Sequence, residues 1–516
     1  MEPSSYVKTY QHYLRDRCPT IEEALLTQVA EIIQTTHWDE PQSSLDFNNV
    51  AVMALLEAEA TKDVTTREMY LDMAIAALNE GADHPLCTAH LALVQSLLAD
   101  RSDAVQAAFS TFMMALLPAY AEATIPPGLI FLPQQWRGYL PLPYTQLTAL
   151  LELPNGYQQS VLLAGEVLCQ SQFVFYNSSG LRFLQLATRL FPASTLLNLH
   201  LGISSVMNAQ WEGVLYLHLA QQQAPSVAPI LQALMLAYKN LGQAEVADYW
   251  RQRAALEPAT APQWANLPPE SPLTYVPLEN GLQMAVESSF QSIVTGVLLA
   301  KGTWFEQEME FWRDHLQPGM TVIDVGANVG VYTFSAAQRV GATGRVIAIE
   351  PFSRCVECLQ ETRRVNSLEQ VTVCRAAASD HDGTAYLSLH PASELNELVS
   401  DPTSAGEVEE VSCFTLDSLV MQENLQRVDV LKIDAEGHEL QVLAGSDRLL
   451  SQLAPIILYE NIAGSQGSNR PVAEYLLTKG YQLFRYQPFI KQLHPIQLSD
   501  NLENSLNIIA MPSNKI

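Results

Sequence analysis

The apolar residues of this chain keep two different rhythms, and a proline-punctuated stretch separates them. From about residue 20 to 260 they recur every three or four positions, as in NNVAVMALLEAEA, TAHLALVQSLLAD and ILQALMLAYKNLG. That is the period of helices that bury one face. From residue 276 onward short β-rich runs alternate with helical ones: MTVIDVG, GRVIAIEP, QVTVCRAA, VEEVSCFTLDSL, VDVLKIDAEG and APIILYENI, then GYQLFRYQ and SLNIIAMP with a loop between them. Helix after helix predicts a bundle or a solenoid, whereas alternation predicts βαβ units and a parallel sheet covered on both faces. One core cannot serve both patterns, and 516 residues exceed what one core supports. The expected organisation is a helical domain over 1–260, a linker over 261–275 carrying Pro262, Pro268, Pro269 and Pro272, and an α/β domain over 276–516.

The helical region repeats weakly. Pro192, Pro225 and Pro258 are 33 residues apart, each behind an apolar helix (TRLFP, QQQAP, AALEP), and Pro85 and Pro118 keep the same interval. The clearest unit, APILQALMLAYKNLGQAEVADYWRQRAALEP with Tyr238, Gly242, Ala247 and Pro258, resembles a degenerate tetratricopeptide repeat. The resemblance implies a solenoid of helical hairpins with a concave surface for a peptide or protein, or a scaffold that orients or dimerises the rest. Residues 124–160, opening TIPPGLIFLPQQWRGYLPLP, hold too many prolines for a helix pair and are expected to interrupt the array.

Fifty-five acidic against 28 basic residues give a formal charge of −27, which disfavours nucleic acid and anionic membranes as partners. The seven cysteines follow no framework spacing, as in a reduced compartment, and the lone pair Cys355 and Cys358 falls in a predicted helix. The first residues lack an apolar signal-like run and no stretch reaches membrane-spanning length, so a cytoplasmic location is expected.

The chemistry concentrates after the seam. Asp324, Gly326, Asn328 and Gly330 lie in DVGANVG, which leaves an apolar strand and opens a helix. Glycines there let the backbone approach a ligand, and free N–H groups at a helix start welcome a carboxylate or phosphate. Glu350 ends the next strand, where its side chain can accept both hydroxyl protons of a ribose. These two features fit S-adenosylmethionine, and they also fit NAD. The segment LKIDAEGHE then brings Lys432, Asp434, Glu436, His438 and Glu439 to another strand end, a cluster better suited to a methyltransferase than to a dinucleotide enzyme.

Taken together, QPGMTVIDVGANVGVYT, IAIEP, RAAASDHDG, FTLDSL, KIDAEGHE, LYENI and LNIIAMP resemble, in order, the FkbM family of S-adenosylmethionine-dependent methyltransferases. The resemblance implies a class I, Rossmann-like domain with a seven-stranded, mainly parallel sheet whose last strand is antiparallel. It implies methyl transfer, usually to oxygen, on a glycan, peptide, protein or secondary metabolite. Asp324, Gly326, Asn328 and Gly330 would hold the cofactor's amino-acid part, Glu350 its ribose, Ala378 and Ser379 (with Asp380 near) its adenine, and Asp434 its ammonium.

Candidate bases for the acceptor proton are Asp434, Glu436, His438 and Glu460. Each has a plainer role open to it: Glu436 could bond helix N–H groups, Glu460 could pair with Lys432, and His438 could face solvent at a helix start. No metal is assigned, although clustered carboxylates can hold Mg²⁺. Glu306 with Trp304, Phe305, Phe311 and Trp312 could close over the cofactor, and the acidic stretch 391–410 reads as a substrate-facing loop. Two other readings stand beside the methyltransferase: a nucleotide-cofactor oxidoreductase and a catalytically weak binding scaffold. A homodimer is also open.

Overall fold

The computed structural model describes residues 3–98, 101–133, 147–148, 150–170, 177–190, 192–256, 261–390, 393, 396–399, 407–461, 468–487, 491–500, 502 and 505–515. The chain divides into two compact units, Met1–Gln223 and Ala224–Ile516.

The first unit is helical throughout its described elements: α1 (Pro3–Arg17), α2 (Glu23–Thr35), α3 (Ser44–Ala60), α4 (Val64–Glu80), α5 (Pro85–Leu97), α6 (Arg101–Tyr120), α7 (Gly156–Gln170), α8 (Ser178–Leu190), α9 (Thr195–Met207) and α10 (Gly213–Gln223). Local signals set several starts: Ser43 and Asp46 form a reciprocal capping box on α3, Asp63 caps α4, and Pro85 occupies the first turn of α5. Consecutive helices pack as α3 on α4, α5 on α6 and α9 on α10, but α7 packs on both α5 and α6. The proline spacing does not mark equivalent turns, because Pro85 opens a helix while Pro118 lies inside one. Pro258 lies outside the described residues. No helix among the described residues is long and apolar enough to cross a membrane.

The expected interruption is a built part of the core. Residues 123–133 run without helix, and Leu129, Ile130, Phe131 and Leu132 are buried. Side chains from three helices, α1, α3 and α5, bond their backbone. Tyr10 Oη donates to the Ile130 carbonyl (2.6 Å) and accepts its N–H (3.0 Å), and Tyr13 does the same for Leu132 at 3.0 and 2.9 Å. The Leu129 N–H goes to Asn49 Oδ1 and its carbonyl accepts from Asn48 Nδ2, while the Phe131 N–H goes to His90 Nε2. His90 therefore stays neutral, and burial holds its pKa down to about 3. A buried segment outside helix and sheet must find such partners or lose stability. Tyr10→Phe should remove both bonds to Ile130 and lower unfolding free energy by about 1–3 kcal/mol, read by urea denaturation. A change below about 0.5 kcal/mol would mean that these bonds add little.

The second unit begins with α11 (Ala228–Asn240) and α12 (Ala244–Ala254), followed by the hairpin β1 (Leu273–Pro277) and β2 (Gln283–Glu287). Polar side chains bind this helix pair to the hairpin. Gln232 Nε2 donates to Thr274 Oγ1 and the Tyr275 carbonyl, and Lys239 Nζ reaches the Ser271 carbonyl and Ser288 Oγ. The rest is α13 (Ile293–Lys301), α14 (Glu308–His315), β3 (Thr321–Val325), α15 (Val331–Val340), β4 (Arg345–Ile349), α16 (Ser353–Val365), β5 (Val371–Cys374), β6 (Ala377–Ala378), β7 (Gly383–Ser388), β8 (Glu397–Val399), β9 (Val408–Phe414), α17 (Leu416–Gln422), β10 (Val430–Ile433), α18 (Glu439–Ala444), β11 (Ile456–Glu460), α19 (Arg470–Thr478), β12 (Tyr481–Gln487), β13 (Gln492–Ile496) and β14 (Asn507–Pro512).

Among the described residues the main sheet is mixed and has eight strands in the order β13-β12-β14-β11-β10-β3-β4-β5, where seven were expected. β11, β10, β3, β4 and β5 are parallel neighbours, and β14 runs antiparallel to both β11 and β12. The additional strand is β13, antiparallel to β12 at the edge, within the stretch read as a loop. Its Pro495 hides the strand pattern, and an edge position tolerates the missing N–H. The run VEEVSCFTLDSL gives a strand as expected, but β9 belongs to a separate sheet of order β6-β9-β7-β8. Much of the stretch 391–410 lies outside the described residues. β3 is buried at all five positions, as a strand covered on both faces must be. Cys355 and Cys358 are buried in α16 with their thiols pushed up by burial, so neither is a ready thiolate. The Cys169 side chain lies outside the described residues.

Candidate active site

The chain runs outward from β3 through β4 and β5, then returns to β10 on the other side of β3. In an open α/β sheet a ligand lies at the carboxyl ends of the strands flanking such a reversal. Here those ends carry DVGANVG after β3 and KIDAEGHE at β10. The two backbones meet: the Asp434 N–H donates to the Val325 carbonyl (3.1 Å). Gly326 has φ +69, and a Cβ there would stand 1.7 Å from the Asp434 carbonyl oxygen. Gly330 starts α15 at φ +100, where a Cβ would meet Phe334 and Leu359 at 2.5 and 2.6 Å. Asn328, at φ +50, turns the loop between them.

Glu350, one residue past β4, is almost fully buried and holds the loop in place. Its two oxygens accept the N–H groups of Asn328 and Phe352, both at 2.8 Å. Burial still pushes its pKa up to about 7 against the pull of those bonds. Asp324 lies deeper, 1% exposed, with Oδ2 accepting from Thr333 Oγ1 (2.6 Å) and Oδ1 without a hydrogen-bond partner among the described residues. Burial raises its pKa first of all, and Lys432 opposes the shift. Asp324 therefore ties β3 to α15 through Thr333.

Lys432 is buried between strands and pairs in register with Asp324 on β3. Its Nζ lies 2.8 Å from Asp434 Oδ2, 4.0 Å from Asp324 Oδ1 and 4.8 Å from the Tyr332 ring centre. Burial disfavours its charge, but Asp434, Asp324 and Glu306 more than offset this and raise its pKa. The expected Glu460 partner is thus replaced by Asp434. Glu306 accepts from Tyr332 Oη, Trp304 Nε1 and Asn507 Nδ2 at 2.5, 2.9 and 2.9 Å. It joins the segment before α14 to α15 and β14. Phe311 and Trp312 are buried, as core residues are, and Trp304 and Phe305 are half-buried against each other.

Asp434, Glu436 and Glu460 converge. One oxygen from each lies within 4.8 Å of the others, a spacing that could hold a metal ion or share protons. Burial and then the neighbouring carboxylates push the pKa values of Glu436 and Glu460 up. The N–H-binding role expected of Glu436 belongs to Glu439, which accepts from Ala435 and Gly437 at 2.9 and 3.1 Å and from Asn469 Nδ2. His438 is not paired with this cluster. Its Nε2 lies 3.0 Å from Ser379 Oγ, next to Ala378 on β6, while Asp380 engages the exposed His381. Sequence reading undervalued Lys432, Glu439, Tyr332 and Asn507. The first had a signal, since Lys432 in β10 and Asp434 just past its end stand two apart, the spacing that puts extended residues on one face.

Residues 324–483 match the family model described as the Methyltransferase FkbM domain. The second unit carries an FkbM methyltransferase domain. Among curated proteins, the chain is 26% identical over 213 residues to the methyltransferase sdnD of Sordaria araneosa, covering 34% of this chain and 81% of that protein. It is 39% identical over 82 residues to a protein-L-isoaspartate O-methyltransferase of Triticum aestivum, 16% of this chain and 31% of that protein. It is 22% identical over 186 residues to Methyltransferase 1 of Beauveria bassiana, 32% and 74% of the two. A solved SAM-dependent methyltransferase of Aquifex aeolicus is similar over 40% of this chain and 89% of that one, with 18% identity and a TM-score of 0.23. The FkbM domain is that of an S-adenosylmethionine-dependent methyltransferase, and the oxidoreductase reading gives way to it.

The contact at Gly326 can be tested against Gly341, which has φ +63 but nothing within 4 Å of a Cβ. Both alanine variants carry the backbone strain, while Gly326→Ala alone drives a methyl into a carbonyl. Gly326→Ala should lower the thermal midpoint further than Gly341→Ala, by an added cost above about 1 kcal/mol. Equal midpoints would show that the β3 and β10 loops part freely.

Proposed function

We propose that this chain transfers a methyl group from S-adenosylmethionine to an oxygen, on a hydroxyl or carboxyl group of a glycan, peptide, protein or secondary metabolite. The supporting observation is the convergence of Asp434, Glu436 and Glu460 beside the loop that opens α15. The residues suit the cofactor: the loop has its close-approach glycines, Glu350 keeps lone pairs free for ribose hydroxyls, and Asp324 Oδ1, which faces Lys432 at 4.0 Å, makes no hydrogen bond among the described residues. When bound, the cofactor supplies an electrophilic methyl group on a sulfonium.

The protein's own part is to position and to accept a proton. Gly326, Asn328 and Gly330 shape the cradle, with Glu350 fixing it through the Asn328 N–H. Lys432 keeps Asp434 in place as the anion facing a cofactor ammonium. Glu436 takes the acceptor's proton, because no N–H donor among the described residues occupies it, while Glu460 beside it is pushed up further, to about 12, and stays protonated. In-line alignment contributes the rest. The helical unit would recognise the substrate or a partner protein.

Glu436 is pushed up to about 8 by burial and by its carboxylate neighbours. A base with a raised pKa is still protonated at neutral pH, so turnover should rise with pH and level off above about 8. Glu436→Gln should lower kcat by about a hundredfold or more without weakening S-adenosylhomocysteine binding, and normal turnover would place the base elsewhere. EDTA should leave the rate unchanged, and loss restored by Mg²⁺ would replace the base with a metal. Incubation with methyl-labelled cofactor and host extract, followed by separation by size and by mild alkali, identifies the acceptor. Alkali releases methyl esters and spares ethers, whereas label on nitrogen or carbon would sink the oxygen assignment.

A further inference from the structure

The bond between Ser379 and His438 is not used by anything above, and it joins two segments at the carboxyl edge. The glycine loop follows β3, Glu350 follows β4, and the turn to Ser379 lies past β5. Strands stand about 4.8 Å apart, so a ligand with its amino-acid part at the first and its ribose at the second presents its base near the third. Ser379 or Asp380 was the expected contact there, but Ser379 is 2% exposed and cannot reach a ligand surface, and Asp380 Oδ1 is engaged by His381 Nδ1 at 2.7 Å and by Ser379 Oγ at 3.3 Å. His438, at the start of α18, is half-buried and stands over it.

The hydrogen positions follow from counting. Ser379 Oγ donates its one hydrogen to Asp380 Oδ1 at 3.3 Å. The 3.0 Å bond to His438 must then run from Nε2–H to Oγ. Burial lowers the imidazole pKa, with Asp380 opposing, so the ring is neutral and Nδ1 carries a lone pair. Among the described residues Nδ1 makes no hydrogen bond. A bare acceptor at this place suits an amine and opposes a carbonyl.

We infer that His438 is the side chain that meets the cofactor's adenine, its Nδ1 accepting the exocyclic amine, and that Ser379 is a positioning residue that fixes the ring and its tautomer. This rests on the S-adenosylmethionine reading of the site. It removes His438 from the candidate bases and makes it the element that distinguishes adenine from hypoxanthine.

Calorimetry on the full chain with S-adenosylhomocysteine and S-inosylhomocysteine tests it. The unaltered protein should prefer the adenine form by about tenfold or more. His438→Phe, which keeps a ring and removes Nδ1, and Ser379→Ala, which frees the tautomer, should bring the ratio near one. A purely structural role for either residue would weaken both ligands alike and leave the ratio unchanged, which would overturn the inference. Equal affinities in the unaltered protein would also overturn it, without any variant having to fold. If neither compound binds the unaltered protein, the cofactor reading itself falls and takes this inference with it.

Discussion

Lys432 has no route to water, so its charge must be matched inside the fold. Asp434 two residues on, Asp324 across the strand pair and the Tyr332 ring supply the match. Each comes from a different place: β10 and its following loop, β3, and the first turn of α15. Removing one partner of such a buried pair costs about 3–5 kcal/mol, because the remaining charge has nothing to face. The two loops at the sheet reversal are therefore locked together by electrostatics from below and by the Gly326 contact from above. Glu306 extends the lock through Tyr332 to β14.

That lock also sorts the many acids around it. Asp324 has the Thr333 hydroxyl, Glu350 and Glu439 have backbone N–H groups, Glu306 has three side-chain donors, and Asp434 has Lys432. Each is held by a donor and serves the shape of the site. Glu436 and Glu460 have no such donor among the described residues, and Glu460 Oε2 is a buried oxygen without any hydrogen bond. Carboxyls left this way keep protons above the usual range: Glu436, pushed up to about 8, can accept and return one near neutral pH, whereas Glu460 is pushed higher and holds its proton. Acid count alone would not separate the two groups. Their partners do.

The sequence made the reversal of the sheet legible because glycine spacing and strand-ending acids are local signals. Gly326, Glu350 and Asp434 each stand one residue past a strand end and Gly330 at the start of α15, where the pattern put them. What it concealed depended on contacts between distant segments. Whether Glu436 or Glu439 serves the N–H groups is decided by where a short loop turns, with Glu436 itself at φ +47. The direction of His438 depends on Ser379, 59 positions away. β13 was hidden for a different reason, since its proline contradicts the ordinary look of a strand and only its edge position permits it.

The helical unit shows the same limit on pattern reading from the other side. Its amphipathic spacing suggested an open concave surface, and a run of prolines suggested a break in it. Yet Tyr10, Tyr13, Asn48, Asn49 and His90 are spent on the backbone of residues 129–132 of the same chain. These groups bond main-chain N–H and carbonyl atoms, the chemistry by which any extended peptide would be held. Since they are already saturated, an external peptide gains nothing from them. A recognition role for this unit has to be carried by its solvent-facing helix surfaces, whose chemistry differs from that of the filled interior.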